Sequence, residues 1–285
     1  MQIIRDLASL RDAVATLRGA GKRIALVPTM GALHAGHIAL IEEGSRRADA
    51  VIASIFVNPK QFGAGEDLTS YPRRERADAQ MLEQAGCAIL WAPTVETMYP
   101  PGFATNVSVS GVSEVLEGAS RPGHFDGVAT VVLKLLNQVA PDVALFGEKD
   151  WQQLAVIRRV ATDLDLAIEI VGVPIVRDDQ GLALSSRNAY LADEELAAAR
   201  TLPRALGEAV AAIARGEPVE AALAAATARL AEAGFTDIDY VTLRDAETLV
   251  PIDGLGEAPA RLLAAARMGP ARLIDNLAAG LSTKV

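Results

Sequence analysis

Cysteine is almost absent from this chain: Cys87 is the only one among 285 residues. No intramolecular disulfide can form, and a reducing cytosolic setting fits. Histidines number three, and with no cysteine cluster beside them a Cys-rich zinc site is excluded. No run approaches the ~20 apolar residues of a membrane span. The Ala-rich stretch 205–233 is interrupted by Arg215, Glu217, Glu220, Arg229 and Glu232 and predicts two surface helices. The start, Met1-Gln2-Ile3-Ile4-Arg5-Asp6, lacks a basic segment followed by an apolar one, so no secretory signal is expected. Basic charge is in deficit as well. A formal net charge of −9 argues against broad nucleic-acid binding, yet Lys, Arg and backbone N–H groups can still gather locally around an anion. Hydrophobic residues at 51% and charged residues at 22% describe an ordinary globular chain with a substantial core, in one large or two ordinary domains.

What is present begins with alternation. Up to about residue 175, short apolar runs alternate with helical periodicity, the mark of a parallel sheet wrapped by helices. Strands are expected at Ile24–Pro28, Ala50–Val57, Ala88–Ala92, Val143–Phe146 and Ile168–Pro174. Helices are expected at Leu7–Arg18, His37–Ala48, Arg73–Ala85, Gly127–Val139 and Trp151–Leu164. After Ser185-Ser186-Arg187-Asn188 the texture changes. Two Ala/Glu-rich helices, about 193–214 and 218–233, precede β-like runs at Ile238–Leu243, Arg261–Ala266 and Arg272–Leu277. The reading is an α/β chain: a Rossmann-like doubly wound parallel sheet over 1–175, then a smaller C-terminal α+β domain over 176–285.

The densest motif is Pro28-Thr29-Met30-Gly31-Ala32-Leu33-His34-Ala35-Gly36-His37. A strand precedes it and a helix pattern follows, so free N–H groups and the helix dipole are offered to a phosphate. Gly31 and Gly36 let backbone approach a polyphosphate. His34 and His37, three apart, can face one side. The bland alternatives are a solvated turn or half of a metal site, a three-histidine zinc site with His124 included. His124 itself lies in a second dense run, Arg121-Pro122-Gly123-His124-Phe125-Asp126-Gly127.

Further motifs follow strand ends. Phe56-Val57-Asn58-Pro59-Lys60-Gln61-Phe62-Gly63-Ala64-Gly65 places Asn58 and Gln61 as amides suited to a hydroxy acid, or simply makes a polar loop. Segment 61–71, with its glycines, Glu66 and Asp67 in the middle and Phe62 and Tyr71 at its ends, is expected to be a mobile cover. Phe146-Gly147-Glu148-Lys149-Asp150-Trp151-Gln152-Gln153 repeats the strand, glycine, helix-start order, with Lys149 as a point charge. Taken alone, it equally describes a solvated charge cluster. Val176 through Asn188 holds a turn signal, Asp178-Asp179-Gln180-Gly181, and then two hydroxyls beside a guanidinium, a phosphate grip.

In this order the motifs resemble the pantoate–β-alanine ligase family of the class I aminoacyl-tRNA-synthetase-like nucleotidyltransferases, over nearly the whole length. His34-Ala35-Gly36-His37 and Leu184-Ser185-Ser186-Arg187 resemble that superfamily's two signatures, the second without the Lys-rich form of the tRNA-charging relatives. The resemblance implies an ATP site made by Met30, Gly31, Ala32, Leu33, His34, Ala35, Gly36, His37, Gly147, Glu148, Lys149, Asp150, Val176, Leu184, Ser185, Ser186 and Arg187. It implies His37, His34, Lys149 and Arg187 as catalytic groups, and Gln61, Gln153 and Asn58 as substrate ligands. It further implies ATP and Mg²⁺, pantoate and β-alanine as substrates, an adenylate intermediate, a cytoplasmic homodimer, and neither nucleic-acid nor membrane partners.

Overall fold

In this computed structural model residues 1–63 and 65–280 are described; Ala64, within the expected mobile cover, lies outside the described residues. Strands β1 (Gln2–Ile4), β2 (Ile24–Thr29), β3 (Ala50–Ile55), β4 (Ile89–Trp91), β5 (Val143–Gly147) and β6 (Glu169–Val173) form a six-stranded sheet in the order β1-β4-β3-β2-β5-β6. Every pairing in it is parallel. Ile24–Val27 and Ala50–Ala53 are buried without interruption, as a sheet covered on both faces requires.

Helices α1 (Leu7–Gly19), α2 (Ala35–Arg47), α3 (Glu75–Gln84), α4 (Val95–Met98), α5 (Glu117–Ser120), α6 (His124–Val139) and α7 (Trp151–Asp163) fill the crossovers and loops. Leu40 and Ile41 of α2 and Leu82 of α3 share one core with Ala25, Val27, Val51, Ala53, Leu90 and Leu145 of the sheet. Side chains alternate along a strand, so Ile24, Leu26 and Ile52 point the other way, and they too are fully buried. Strand β2 lies between β3 and β5, where strand order reverses. In open α/β sheets ligands collect beyond the carboxyl ends of strands at such a switch point. Thr29 ends β2 there, and Gly147 ends β5 beside it.

The later part contains α8 (Asp193–Ala199), α9 (Thr201–Ala214) and α10 (Val219–Glu232), then an antiparallel sheet of β7 (Thr236–Asp245), β8 (Ala260–Met268) and β9 (Ala271–Ala279). Leu202, Leu206, Ile213 and Leu230 from the helices pack with Leu262, Ala264 and Leu273 from the strands. The single helix expected over 193–214 is two, broken at Arg200. Pro203 is the cause. It has no N–H to donate to the carbonyl of Ala199 and its ring would collide with that carbonyl, while in the first turn of α9 it costs little. Strand β1 and helices α4 and α5 were not anticipated; each is four residues or fewer, too short to show a period.

The chain divides into two compact units. One is Met1–Glu148 with Gln153–Pro174; the other is Lys149–Gln152 with the chain from Ile175 onward.

Candidate active site

The turn after β2 is built from its own backbone. Thr29 Oγ1 donates to the Ser54 carbonyl at 2.7 Å and accepts from Gly31 N at 3.2 Å, tying the end of β2 to β3. Two left-handed residues follow, Gly31 at φ +85° and Ala32 at φ +52°. Glycine adopts that conformation freely; alanine holds it at a cost of about 1–3 kcal/mol. Asp78 of α3, 2% exposed, offsets the cost. Its two carboxylate oxygens accept from Ala32 N and Leu33 N, each at 2.9 Å, and such charge-assisted bonds are the stronger kind. Asp78 was missed in the sequence. The available signal was its place one turn before the buried Leu82 on the inward face of α3.

His34 is the N-cap of α2. Its Nδ1 accepts from Gly36 N at 3.1 Å, while His37 Nδ1 accepts from His34 N at 3.2 Å. The rings lie 4.2 Å apart between centroids. An imidazole nitrogen that accepts cannot carry the proton, so in both neutral rings the proton sits on Nε2. The helix start therefore carries two fixed Nε2–H donors as well as its own N–H groups. Such a combination is chemically suited to an anion and to charge growing on it.

Gln61 lies in a cradle. Its Nε2 donates to Met30 Sδ at 3.2 Å and its Oε1 accepts from Asn58 Nδ2 at 3.1 Å. Asn58 is fully buried. It donates also to the Gly127 carbonyl at 3.1 Å and accepts from Tyr99 OH at 2.8 Å and Lys60 N at 3.2 Å. Both amide hydrogens and the amide oxygen are thus spent on protein partners. Gly127 is required where it stands, because a Cβ there would run into the Lys60 carbonyl. Burial pushes the Tyr99 hydroxyl up, keeping it a donor.

His124 and Arg121 hold the backbone side of Gln61. The carbonyl of Gln61 is 2.8 Å from His124 Nδ1, and Arg121 Nη1 is 3.1 Å from His124 Nε2. A guanidinium only donates, so Nε2 accepts and Nδ1–H donates to Gln61. Burial, and next the Arg121 charge, push this histidine down to about 4. Arg121 also grips both oxygens of Glu66, at 2.8 and 2.6 Å. Glu66, in the middle of segment 61–71, is thereby held in an ion pair. Phe62 and Tyr71 pack edge to face, centroids 6.0 Å apart. With both ring nitrogens of His124 engaged, the three histidines do not gather. Among the described residues no group of three or more His, Cys, Asp or Glu is placed to hold a metal ion. Cys87 is buried and pushed up to about 11 by desolvation, which leaves no thiolate at neutral pH.

The second unit carries Lys149, Asp150, Val176 and Leu184 through Arg187. Leu184 N donates to the Val176 carbonyl at 2.9 Å, and Arg177 bridges Ala183 in antiparallel fashion. The intervening turn is closed by Asp178, whose Oδ1 accepts from Gln180 N at 2.9 Å and Leu182 N at 2.8 Å. The hairpin delivers Ser185, whose Oγ accepts from Arg187 N at 3.2 Å and starts the short 3₁₀ turn Ser186–Tyr190. Lys149 Nζ is 3.7 Å from Asp150 Oδ1. In the first unit, Gly147 ends β5 and Glu148 follows it, and Gln153 is half-buried in the first turn of α7.

The chain is similar to known proteins over nearly its whole length. Residues 2–278 match the family described as pantoate-beta-alanine ligase. A pantothenate synthetase of Rhizorhabdus wittichii is 68% identical over 98% of this chain and 98% of its own length. One of Novosphingobium aromaticivorans is 61% identical over 98% and 99%. The crystal structure of pantothenate synthetase from Thermus thermophilus superposes with a TM-score of 0.92 at 47% identity, covering 97% of this chain and 99% of that one. That of pantoate-beta-alanine ligase from Francisella tularensis, complexed with beta-gamma ATP and beta-alanine, superposes with a TM-score of 0.82 at 33% identity over 97% of each. The chain belongs to the pantoate–β-alanine ligase family, enzymes that use ATP to join pantoate to β-alanine.

Proposed function

We propose that this chain performs the family reaction with a definite division of labour. Residues Met30–His37, Gly147–Asp150, Val176 and Leu184–Arg187 serve ATP, and Gln61 and Gln153 serve pantoate. Asn58 sets the amide of Gln61. The pantoate carboxylate attacks the α-phosphorus, the bond from that phosphorus to the bridging oxygen breaks, and pyrophosphate leaves. The uncharged amine of β-alanine then attacks the acyl carbon of pantoyl adenylate, loses its proton, and expels AMP.

The observation that carries this reading is the pair of Nε2–H donors fixed at the start of α2. A carboxylate is already a nucleophile at neutral pH, so the first step needs alignment and neutralisation of growing phosphate charge, not a serine or cysteine. Lys149 and Arg187 add the cationic part. Mg²⁺ enters with the triphosphate as part of the substrate. Residues 1–175 would supply the histidines and the pantoate ligands, and residues 176–285 the Ser-Ser-Arg grip. We also infer a cytoplasmic homodimer, for which one species of dimer mass in sedimentation at micromolar concentration is the expected result. Among the described residues no helix is long and apolar enough to cross a membrane.

The test is ATP–pyrophosphate exchange with the purified chain. Exchange should require pantoate and proceed without β-alanine, and adding β-alanine should release AMP. Exchange without AMP release would mean a transferase that stops at the nucleotidyl product; ATP binding without exchange would mean a nucleotide-binding regulator.

A further inference from the structure

Strand β9 carries two polar residues, Asp275 and Asn276, in a run that is otherwise mostly apolar, and each is only 2% exposed. Burying polar groups costs free energy unless each finds a partner, so the partners say what the pair is for. Asp275 receives both terminal nitrogens of Arg177, at 2.7 and 2.9 Å, and Arg177 also donates to the carbonyls of Gly181 at 2.9 Å and Asn276 at 3.3 Å. Asp275 Oδ1 accepts from Asn276 N at 2.7 Å. This fixes the backbone of β9 against the hairpin that leads to Ser185.

Asn276 points its amide elsewhere. Its Nδ2 donates to the carbonyl of Lys149 at 3.0 Å, across 127 positions of chain. Its Oδ1 accepts from Arg261 Nη1. The Arg261 guanidinium lies 3.4 Å from the centroid of the Trp151 ring, a cation–π stack. The indole nitrogen of Trp151 donates to the Ala246 carbonyl at 2.8 Å. The segment Lys149–Trp151 is therefore clamped at its first residue by Asn276 and at its third by Arg261 and Ala246, all within the second unit.

We propose that Asn276, supported by the Arg261–Trp151 stack, is a positioning residue for Lys149 in the adenylation step. A lysine has a long flexible stem, so its ammonium is only as well placed as its backbone. The clamp fixes that backbone in the same unit that holds Ser185, Ser186 and Arg187, so the two phosphate-binding cations share one frame. This inference rests on the proposed assignment of Lys149 to the phosphates of ATP.

The test uses the full chain with Asn276→Asp, which keeps the volume and an acceptor for Arg261 but cannot donate to the Lys149 carbonyl. Trp151→Phe is the second variant; it keeps a ring under Arg261 and loses the donor to Ala246. Pantoate-dependent ATP–pyrophosphate exchange should fall about tenfold in Asn276→Asp, as expected for a buried acceptor left unpaired, and less in Trp151→Phe. The second half-reaction, supplied pantoyl adenylate with β-alanine, should stay within about twofold, because it makes no use of the pyrophosphate portion that Lys149 is proposed to hold. On a Lys149→Ala background Asn276→Asp should cause no further loss, since coupled groups are non-additive. Equal losses in both half-reactions, or fully additive losses, would reduce Asn276 to a fold-stabilising residue and overturn the proposal. Full exchange in Lys149→Ala would remove Lys149 from the phosphates and this inference with it. Impaired exchange in Lys149→Ala with normal exchange in both other variants would overturn the inference alone.

Discussion

Acidification gives a quantitative test of the cradle around Gln61. His124 is neutral in the fold, with Nδ1–H on the Gln61 carbonyl and Nε2 facing Arg121. A proton added at Nε2 would meet a guanidinium and lose its acceptor role, so burial and Arg121 hold the ring down to about 4, against pulls upward from the Gln61 carbonyl, Glu117 and Glu66. In the unfolded chain the ring titrates near its ordinary 6.5. Between those two values the unfolded chain takes up a proton that the native state refuses. The stability contributed by the neutral ring is therefore whole above 6.5, drains as pH falls toward 4, and changes no further below that. Across the window the loss is about 3 kcal/mol, at about 1.4 kcal/mol per pH unit in its middle. Urea unfolding at constant ionic strength, from pH 7.5 to 4.5, measures it in the wild type and in His124→Asn. The variant keeps a donor for Gln61 but has no group to titrate, so its curve should be flatter by that slope. Carboxylates held below their usual range, such as Asp178 by its backbone N–H partners and Arg200, lose stability in both proteins and cancel in the difference. Parallel curves would show that His124 is not the buried neutral group described.

Three further outcomes are expected. Asp78→Asn leaves one of the Ala32 and Leu33 N–H groups facing a donor, so urea unfolding should show a loss of about 1–3 kcal/mol and exchange should fall with it; an unchanged midpoint would mean that the turn does not need Asp78. Gln61→Ala should raise the pantoate concentration needed for half-maximal exchange while ATP saturation stays near normal, and normal pantoate saturation would remove Gln61 from that substrate. Cleavage within 62–70 by a dilute protease should increase in Arg121→Ala, which frees Glu66, and should be suppressed in the wild type by ATP plus pantoate without β-alanine; equal cleavage in every case would mean that this segment is no cover.

The parts legible in the sequence were those whose cause is local. Continuous apolar runs such as Ile24–Val27 marked strands buried on both faces, and His34-Ala35-Gly36-His37 after a strand end marked a helix start with two imidazoles, one of them the cap itself. What escaped depends on residues distant in the chain. Asp78 acts on a turn 46 positions earlier, and its place on the inward face of α3 does not tell which backbone its carboxylate holds. The spacing of Asn58 and Gln61 suited ligands, but only Tyr99 and Gly127, brought in by α4 and α6, show that the amide of Asn58 is used up internally. The break before α9 was readable in Pro203, and the Ala-rich composition around it masked the signal.

Adenylation driven by the two Nε2–H donors is the core of the account, and pantoate-dependent ATP–pyrophosphate exchange by His37→Ala tests it most directly. Removing one preorganised donor from a site of growing charge costs about 10²–10³ in rate. The account predicts a fall of that size in exchange rate at saturating substrates, with ATP still bound and pantoate saturation little changed. Exchange at the wild-type rate in His37→Ala would contradict it.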